Sequence, residues 1–161
     1  MQDESNDYGV NRMEMKFRPV RHTDYSELKR MIHALYVEDP VNELITDKKI
    51  SKTFIELRTK PCKGKIIIFE KDHAIIGYSI LIFYWSNEYG GDILHIDELY
   101  VKPEHRERGV ATRFFKHIAQ TYRDKVVAVQ LEVSPTNTRA MNYYQKMGFK
   151  KTRNVHLTQT R

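Results

Sequence analysis

The chain has one cysteine, Cys62, among its 161 residues. A single thiol makes no internal disulfide and no cysteine-rich zinc site. Cytoplasmic residence is the simplest reading of that scarcity. Cys62 stands in the turn "RTKPCKGK" with no histidine close in sequence, which argues against a nucleophile. Long apolar runs are also missing. The longest, "YSILIFYW" (78–85), has the length of a strand and falls short of the roughly 18–20 residues a membrane helix needs. The opening "MQDESNDYGVNR" is polar and acidic and lacks the apolar centre of a signal peptide. Residues 1–12 read as a disordered leader, and 13–161 as one domain. Neither G-x-G-x-x-G nor a Walker G-K-[ST] occurs, so both common nucleotide fingerprints are absent.

Charge is present but segregated. The formal net charge is +6, from 27 Lys/Arg against 21 Asp/Glu. Residues 102–125 hold seven bases and three acids. Residues 35–47 hold four acids (Glu38, Asp39, Glu43, Asp47) and no Lys or Arg. Residues 84–100 repeat that pattern with Glu88, Asp92, Asp97 and Glu98. A basic balance admits nucleic acid, an anionic membrane surface or an anionic cofactor. The acid-only stretches and the lack of any recognisable nucleic-acid motif weigh against the first. Chance segregation on solvated faces is the plain alternative.

Periodicity supplies the elements. "MKFRPVR" (15–21) reads as a strand. A helix follows, capped by Thr23 or Asp24, with Leu28, Met31, Ile32 and Leu35 on one face and Pro40 as its stop. A second helix over 46–60 carries Ile50, Phe54 and Leu57. Strands at 65–71 and 74–85 form a hairpin, and 92–101 is another strand. A helix over 110–122, a buried strand over 126–133, a helix over 138–147 closed by Gly148, and strand material over 149–160 complete the chain. This β-α-α-β-β-β-α-β-α-β order predicts an α/β or α+β sandwich.

One turn stands out. "HRERGVA" (105–111) joins a strand to a helix through Arg106, Glu107, Arg108, Gly109, Val110, Ala111 and then Thr112. The first N–H groups of a helix have no partner within it, and the helix dipole favours an anion there. Gly109 allows close backbone approach, and the arginines add donors. Alone the pattern is weak. Downstream, however, "SPTNTRAMNYYQKMGF" supplies Asn137, Ala140, Tyr144, Gly148 and Phe149 in N-x-x-A-x-x-x-Y-x-x-x-G-F spacing.

The two motifs together, in this order, resemble the GCN5-related N-acetyltransferase (GNAT) superfamily, whose [RQ]-x-x-G-x-[GA] matches Arg106, Gly109 and Ala111. The resemblance spans residues 15 to about 152. It implies a mixed, mostly antiparallel sheet of 6–7 strands, flanked by about four helices and splayed between the fourth and fifth strands. It implies acetyl-CoA as co-substrate and no metal. The pyrophosphate would lie on the amides of 106–111, with Val110 and Thr112 alongside. The pantetheine arm would run against Leu99, Tyr100 and Val101, and Asn137 would contact it. A homodimer is left open.

The reaction that the resemblance implies is direct transfer of acetyl to a primary amine, with a cationic small molecule as first choice. A protein lysine or N-terminal amine is the alternative, and a non-catalytic acetyl-CoA-binding module is the rival of another class. Tyr144 would protonate the leaving sulfur; its other reading is a helix tyrosine packed on the core. Strand alternation puts His95, Asp97, Leu99 and Val101 on one side and Ile96, Glu98 and Tyr100 on the other, unless a bulge breaks the count. The resemblance implies a base or water-relaying acid on this strand, shortly before the P-x-x-R turn, which makes His95 and Asp97 candidates by parity and Glu98 by proximity. A hydrogen-bonded strand histidine and solvated or ion-paired acids are the alternatives. Acids such as Glu38 and Asp39 would concentrate an ammonium group, and Tyr84, Trp85 and Tyr89 would line the acceptor pocket. Trp85 is equally readable as core.

Overall fold

The computed structural model describes residues 15–40, 43–154 and 156–160. The first strand, β1 (Met15–Pro19), leads through a 3-10 turn (His22–Asp24) into α1 (Tyr25–Glu38). Then come α2 (Asp47–Thr59), β2 (Gly64–Lys71), β3 (Ala74–Ser86) and β4 (Gly91–Val101). A second 3-10 turn (Pro103–His105) precedes α3 (Val110–Thr121), β5 (Ala128–Leu131) and α4 (Thr138–Lys146).

Local chemistry sets the helix ends. Thr46 caps α2 by accepting from the Lys49 N–H at 3.3 Å. The Asp39 N–H closes α1 on the Leu35 carbonyl, and Pro40 cannot extend it. Asp24 does not cap α1 with its side chain. It accepts instead from the Arg21 N–H at 2.6 Å and pairs with Arg18 at 2.7 Å in a nearly dry site.

The five strands lie in the order β1-β2-β3-β4-β5. The first three pairings are antiparallel and β4–β5 is parallel. Both faces are covered, which explains the unbroken apolar run in β2. Ile66 and Ile68 pack with Leu28, Met31, Ile32, Ile50 and Phe54 from α1 and α2. Ile67 and Phe69 pack with Phe114, Phe115 and Ile118 from α3. Each fully buried side chain of this size contributes about 1.5–3 kcal/mol.

Among the described residues the sheet has five strands, fewer than the 6–7 expected. Among the described residues nothing beyond Leu131 is strand, so the strand expected at 149–160 is missing and the one expected at 126–133 is only four residues long. Residues 150–154 and 156–160 are exposed, Leu157 by 94 %, so this segment buries no apolar row that would pin it to an edge. The expected leader, residues 1–12, lies outside the described residues.

Two irregularities prepare the site. β5 pairs with β4 only from Ile93–Ala128 to Ile96–Leu131, so β4 residues 97–101 continue without a partner on that side. In the same place the β3–β4 register slips, with Ile80 opposite Glu98 but Leu81 opposite Ile96. Asp97 is thus the extra residue of a bulge.

Candidate active site

The bulge overturns the expected alternation. Leu94 and Ile96 face the α3 core, but so do Leu99 and Val101. Glu98 and Tyr100 turn towards α1 and α2. His95, Asp97, Leu99 and Val101 therefore do not form one row, because the bulge inserts one residue into a period of two.

Backbone hydrogen bonds define the gap beside β4. The Lys102 N–H donates to the Ile76 carbonyl across β3 at 2.9 Å. Antiparallel alternation then turns the amides of Val101 and Leu99 away from β3, towards the unpaired side. Gly77 lies opposite Val101, and a Cβ there would stand 2.4 Å from the Tyr100 carbonyl, so glycine keeps β3 and β4 tightly paired behind the gap.

The turn at the end of β4 is an anion cradle in form. Glu107 and Gly109 both hold left-handed backbone, at φ 62° and 74°. Such alternation aims successive N–H groups at one centre. The α3 ladder begins with the Arg113 N–H on the Gly109 carbonyl at 3.0 Å, so the amides of Val110, Ala111 and Thr112 precede it. A Cβ on Gly109 would meet nothing within 4 Å beyond its chain neighbours. Cross-links fix the loop. Glu107 accepts from Arg139 at the start of α4 at 2.6 Å, and Thr112 Oγ1 bonds the Tyr143 hydroxyl at 3.0 Å.

Arg106 differs from expectation. Its guanidinium is committed to the Val101 carbonyl at 2.8 Å and to both oxygens of Glu38, over the Tyr100 ring. These contacts brace the loop against β4 and α1. Asn137 caps α4, its Oδ1 accepting from the Ala140 N–H at 3.1 Å. Arg108 makes no ion pair among the described residues.

Three acid–base candidates meet at the bulge. His95 Nε2 lies 3.9 Å from Asp97 Oδ1. Asp97 keeps 52 % of its side chain exposed, yet desolvation raises its pKa, with His95 opposing and Glu132 adding to the rise. Glu98 is held more firmly. Its Oε1 accepts from the Tyr36 hydroxyl at 2.9 Å and its Oε2 from Tyr78 at 2.7 Å. Burial raises the Glu98 pKa, the two tyrosine bonds oppose this, and Asp97 adds to it. Tyr36 and Tyr78 are themselves held protonated by burial first and by Glu98 second.

Tyr144 packs among Phe115, Tyr143 and Phe149 at ring distances of 5.5–5.9 Å. Burial first and Tyr143 second push its hydroxyl up to about 12. Neither Tyr36 nor Tyr78 was legible as a site residue. The signal was long-range, since they lie 62 and 20 residues from Glu98.

The expected acceptor residues do not gather in one place. Glu38 is paired with Arg106 beside Tyr100, at the end of β4. Trp85 pairs with Asp92 at the start of β4 and Tyr84 donates to Gln130 on β5. Trp85 is 67 % exposed, so it is not core. Five residues separate Trp85 from Ile80, the partner of Glu98, or roughly 17 Å of strand. The acids of 35–47 are also less free than expected. Asp47 pairs with Lys29 and His33, and Glu43 with Lys49. Val41 and Asn42 of that stretch lie outside the described residues.

Among the described residues no helix is long and apolar enough to cross a membrane, and no group of three or more His, Cys, Asp or Glu is placed to hold a metal ion.

Comparison with known proteins agrees with the geometry. The chain is 33 % identical to the bovine (Bos taurus) thialysine N-epsilon-acetyltransferase over 76 residues, 47 % of this chain and 44 % of that protein. The match therefore spans less than half the length of that relative. It is 27 % identical to the Caenorhabditis elegans protein of the same name over 130 residues, 78 % of each chain. The fold matches the crystal structure of a possible acetyltransferase from Clostridium difficile 630 with a TM-score of 0.79 at 19 % identity, covering 91 % of this chain and 97 % of that one. It matches the aminoglycoside N-acetyltransferase AAC(6')-Iy in complex with CoA with a TM-score of 0.72 at 19 % identity, covering 92 % and 96 %. A profile of the Acetyltransferase (GNAT) family matches residues 28–149, and the chain belongs to that family.

Proposed function

We propose that the protein is an acetyl-CoA-dependent N-acetyltransferase that moves an acetyl group directly to a primary amine of a small, cationic molecule. The observation that carries this reading is the join of cradle and gap. The amides of Val110, Ala111 and Thr112 open at Gly109, and the strand that leads there leaves the amides of Leu99 and Val101 unpaired by β5. An elongated ligand with a pyrophosphate and an amide-bearing arm suits that pair of features. Membership in the family supports the same donor. The relatives named for thialysine and for aminoglycosides favour a small amine over a protein amine.

Each residue then has a role. The Val101 N–H would donate to the thioester oxygen, stabilising charge as it develops. Asp97, half exposed on the bulge and beside His95, would take the ammonium proton, directly or through one water. Its raised pKa brings it nearer to working pH than an ordinary carboxylate. Glu98 would place negative charge behind the amine, fixed by Tyr36 and Tyr78. Tyr144, protonated at neutral pH, would return a proton to the leaving thiolate.

A panel of amines incubated with acetyl-CoA, read as free thiol release, tests the reading. Turnover is expected with diamines, aminoglycosides or ω-amino acids. Acetyl-CoA binding without thiol release on any amine would leave only the binding-module alternative.

A further inference from the structure

A second cationic feature adjoins the cradle and has no role in the reading above. A cavity of about 180 Å³ opens on the flank of α3 that faces β1–β3 and carries the side chains of Lys71, His105, Arg108 and Arg113 over an apolar floor of Met15, Ile76 and Val110. No acid lines it. Among the described residues, none of Lys71, Arg108 and Arg113 makes an ion pair. The acids nearest in sequence are engaged elsewhere or stand outside the lining. Glu70 pairs with Arg18 and Glu107 with Arg139, while Asp72 and Glu104 do not line the cavity. Three uncompensated bases sharing one concavity repel one another unless an anion joins them.

The position of Lys71 is built and fixed. It ends β2, pairs with Met15 on β1 and with Ala74 on β3, and is followed by the two-residue turn Asp72–His73 with φ of 50° and 65°. Two successive positive φ values fit the tight hairpin turn that matches strand twist, so the lysine root is held on both sides. The other bases come from the 3-10 turn, the cradle loop and the first turn of α3. Four cationic or protonatable groups thus converge from separate elements, which distinguishes this cavity from a bare helix terminus.

Size and placement select the ligand. The volume lies below the roughly 300–1,000 Å³ of pockets for whole small molecules, so a single charged group suits it. Arg108 and Val110 belong both to its wall and to the loop that turns at Gly109. Two phosphate sites with one shared wall suit a ligand whose phosphates branch from one sugar. We infer that the cavity is a phosphomonoester subsite for the 3′-phosphate of CoA, with Lys71, Arg108 and Arg113 as its cations and His105 beside them. This rests on the acetyl-CoA reading, and it makes the enzyme selective for CoA over its 3′-dephospho form.

Titration calorimetry on the full chain with CoA and with 3′-dephospho-CoA tests the subsite. The wild type is expected to bind CoA at least tenfold more tightly, a difference that shrinks with added salt, as for charge-assisted contacts to a dianion. Lys71→Ala combined with Arg113→Ala is expected to lower CoA affinity to the wild-type value for dephospho-CoA, and to leave dephospho-CoA affinity within about threefold. Lys71→Glu alone should weaken CoA but not dephospho-CoA. Equal wild-type affinities for the two ligands, or an equal loss for both in the variants, overturns the subsite while leaving the acetyl-CoA reading intact. No binding of either ligand overturns both. Thermal unfolding of each variant checks that the fold is retained.

Discussion

Arg106 holds both carboxylate oxygens of Glu38, at 2.9 and 2.7 Å, across 68 residues of sequence. The same guanidinium donates to the Val101 carbonyl at 2.8 Å. One side chain thus ties the cradle loop to the last turn of α1 and to the end of β4. The ion pair is 37 % and 41 % exposed at its two partners, so by itself it contributes no more than about 1 kcal/mol. Glu38→Gln should therefore shift Tm by at most about 4 °C and the Kd for acetyl-CoA by less than about threefold. Arg106→Ala also removes the Val101 bond and the Tyr100 contact, and should weaken acetyl-CoA by roughly tenfold. Calorimetry separates these outcomes. Wild-type affinity in Arg106→Ala would mean that the brace has no bearing on the donor site.

Gly109 makes a sharper case. At φ 74° any other L-residue costs roughly 1–2 kcal/mol of backbone strain. A Cβ there meets nothing within 4 Å beyond its chain neighbours, so the fold should survive substitution. Gly109→Ala should lose a few degrees of Tm and keep measurable acetyl-CoA binding. Gly109→Asp puts a negative charge into the loop that would receive the pyrophosphate and should abolish binding, a loss on the order of 100-fold or more. Retained affinity in the Asp variant would sink the cradle.

Tyr144 carries two roles that one substitution separates. Its ring packs against Phe115, Tyr143 and Phe149. Phenylalanine preserves that packing, so Tyr144→Phe should keep its Tm within about 3 °C and bind acetyl-CoA normally. If the hydroxyl protonates the leaving sulfur, kcat should fall on the order of 10²–10³-fold. Because burial holds the hydroxyl near 12, the wild-type rate should show no loss from tyrosine ionisation below about pH 11. An undiminished kcat in Tyr144→Phe would leave the ring as packing alone.

What the chain discloses before folding follows from how local each feature is. Arg106, Gly109, Ala111 and the run from Asn137 to Phe149 are legible because a turn and two helix ends need particular residues at fixed offsets. The helices are legible too, since α1 and α2 bury the expected Leu28, Met31, Ile32, Ile50, Phe54 and Leu57. The bulge at Asp97 is not, because register belongs to a pair of strands and nothing in "HIDELYV" marks the slip. It reverses the parity of every residue after Ile96, and with it the grouping of the acids. The support of Glu98 by Tyr36 and Tyr78 is hidden for the same reason, and so is the diversion of Arg106 to Glu38. A charge count over 35–47 sees four acids and misses bases brought from α1, α2 and the cradle loop.

Glu98 offers the clearest test through pH. Burial raises its pKa, Tyr78 and Tyr36 counteract this in part, and Asp97 adds to the rise. The folded state therefore binds a proton at Glu98 more tightly than the unfolded chain, whose glutamates titrate at about 4.3. The stability this confers is full below that value and is lost as pH rises through the raised folded pKa. Glu98→Gln removes the titration but keeps an acceptor oxygen for a tyrosine. Tm of the wild type minus that of Glu98→Gln should thus be greatest near pH 4, decline as pH rises, and level off once Glu98 is ionised. Calorimetry in steps from pH 4 to 8 measures this; a difference that grows with pH would contradict the raised pKa. Activity runs the other way. A base must be deprotonated, so kcat should climb with pH through the raised pKa of Asp97 and then plateau. Asp97→Asn should cost roughly 10²–10⁴-fold in kcat and erase that rising limb. If the limb survives in Asp97→Asn and disappears in Glu98→Gln, the proton acceptor is the inner carboxylate, and Tyr36 becomes its link to the amine.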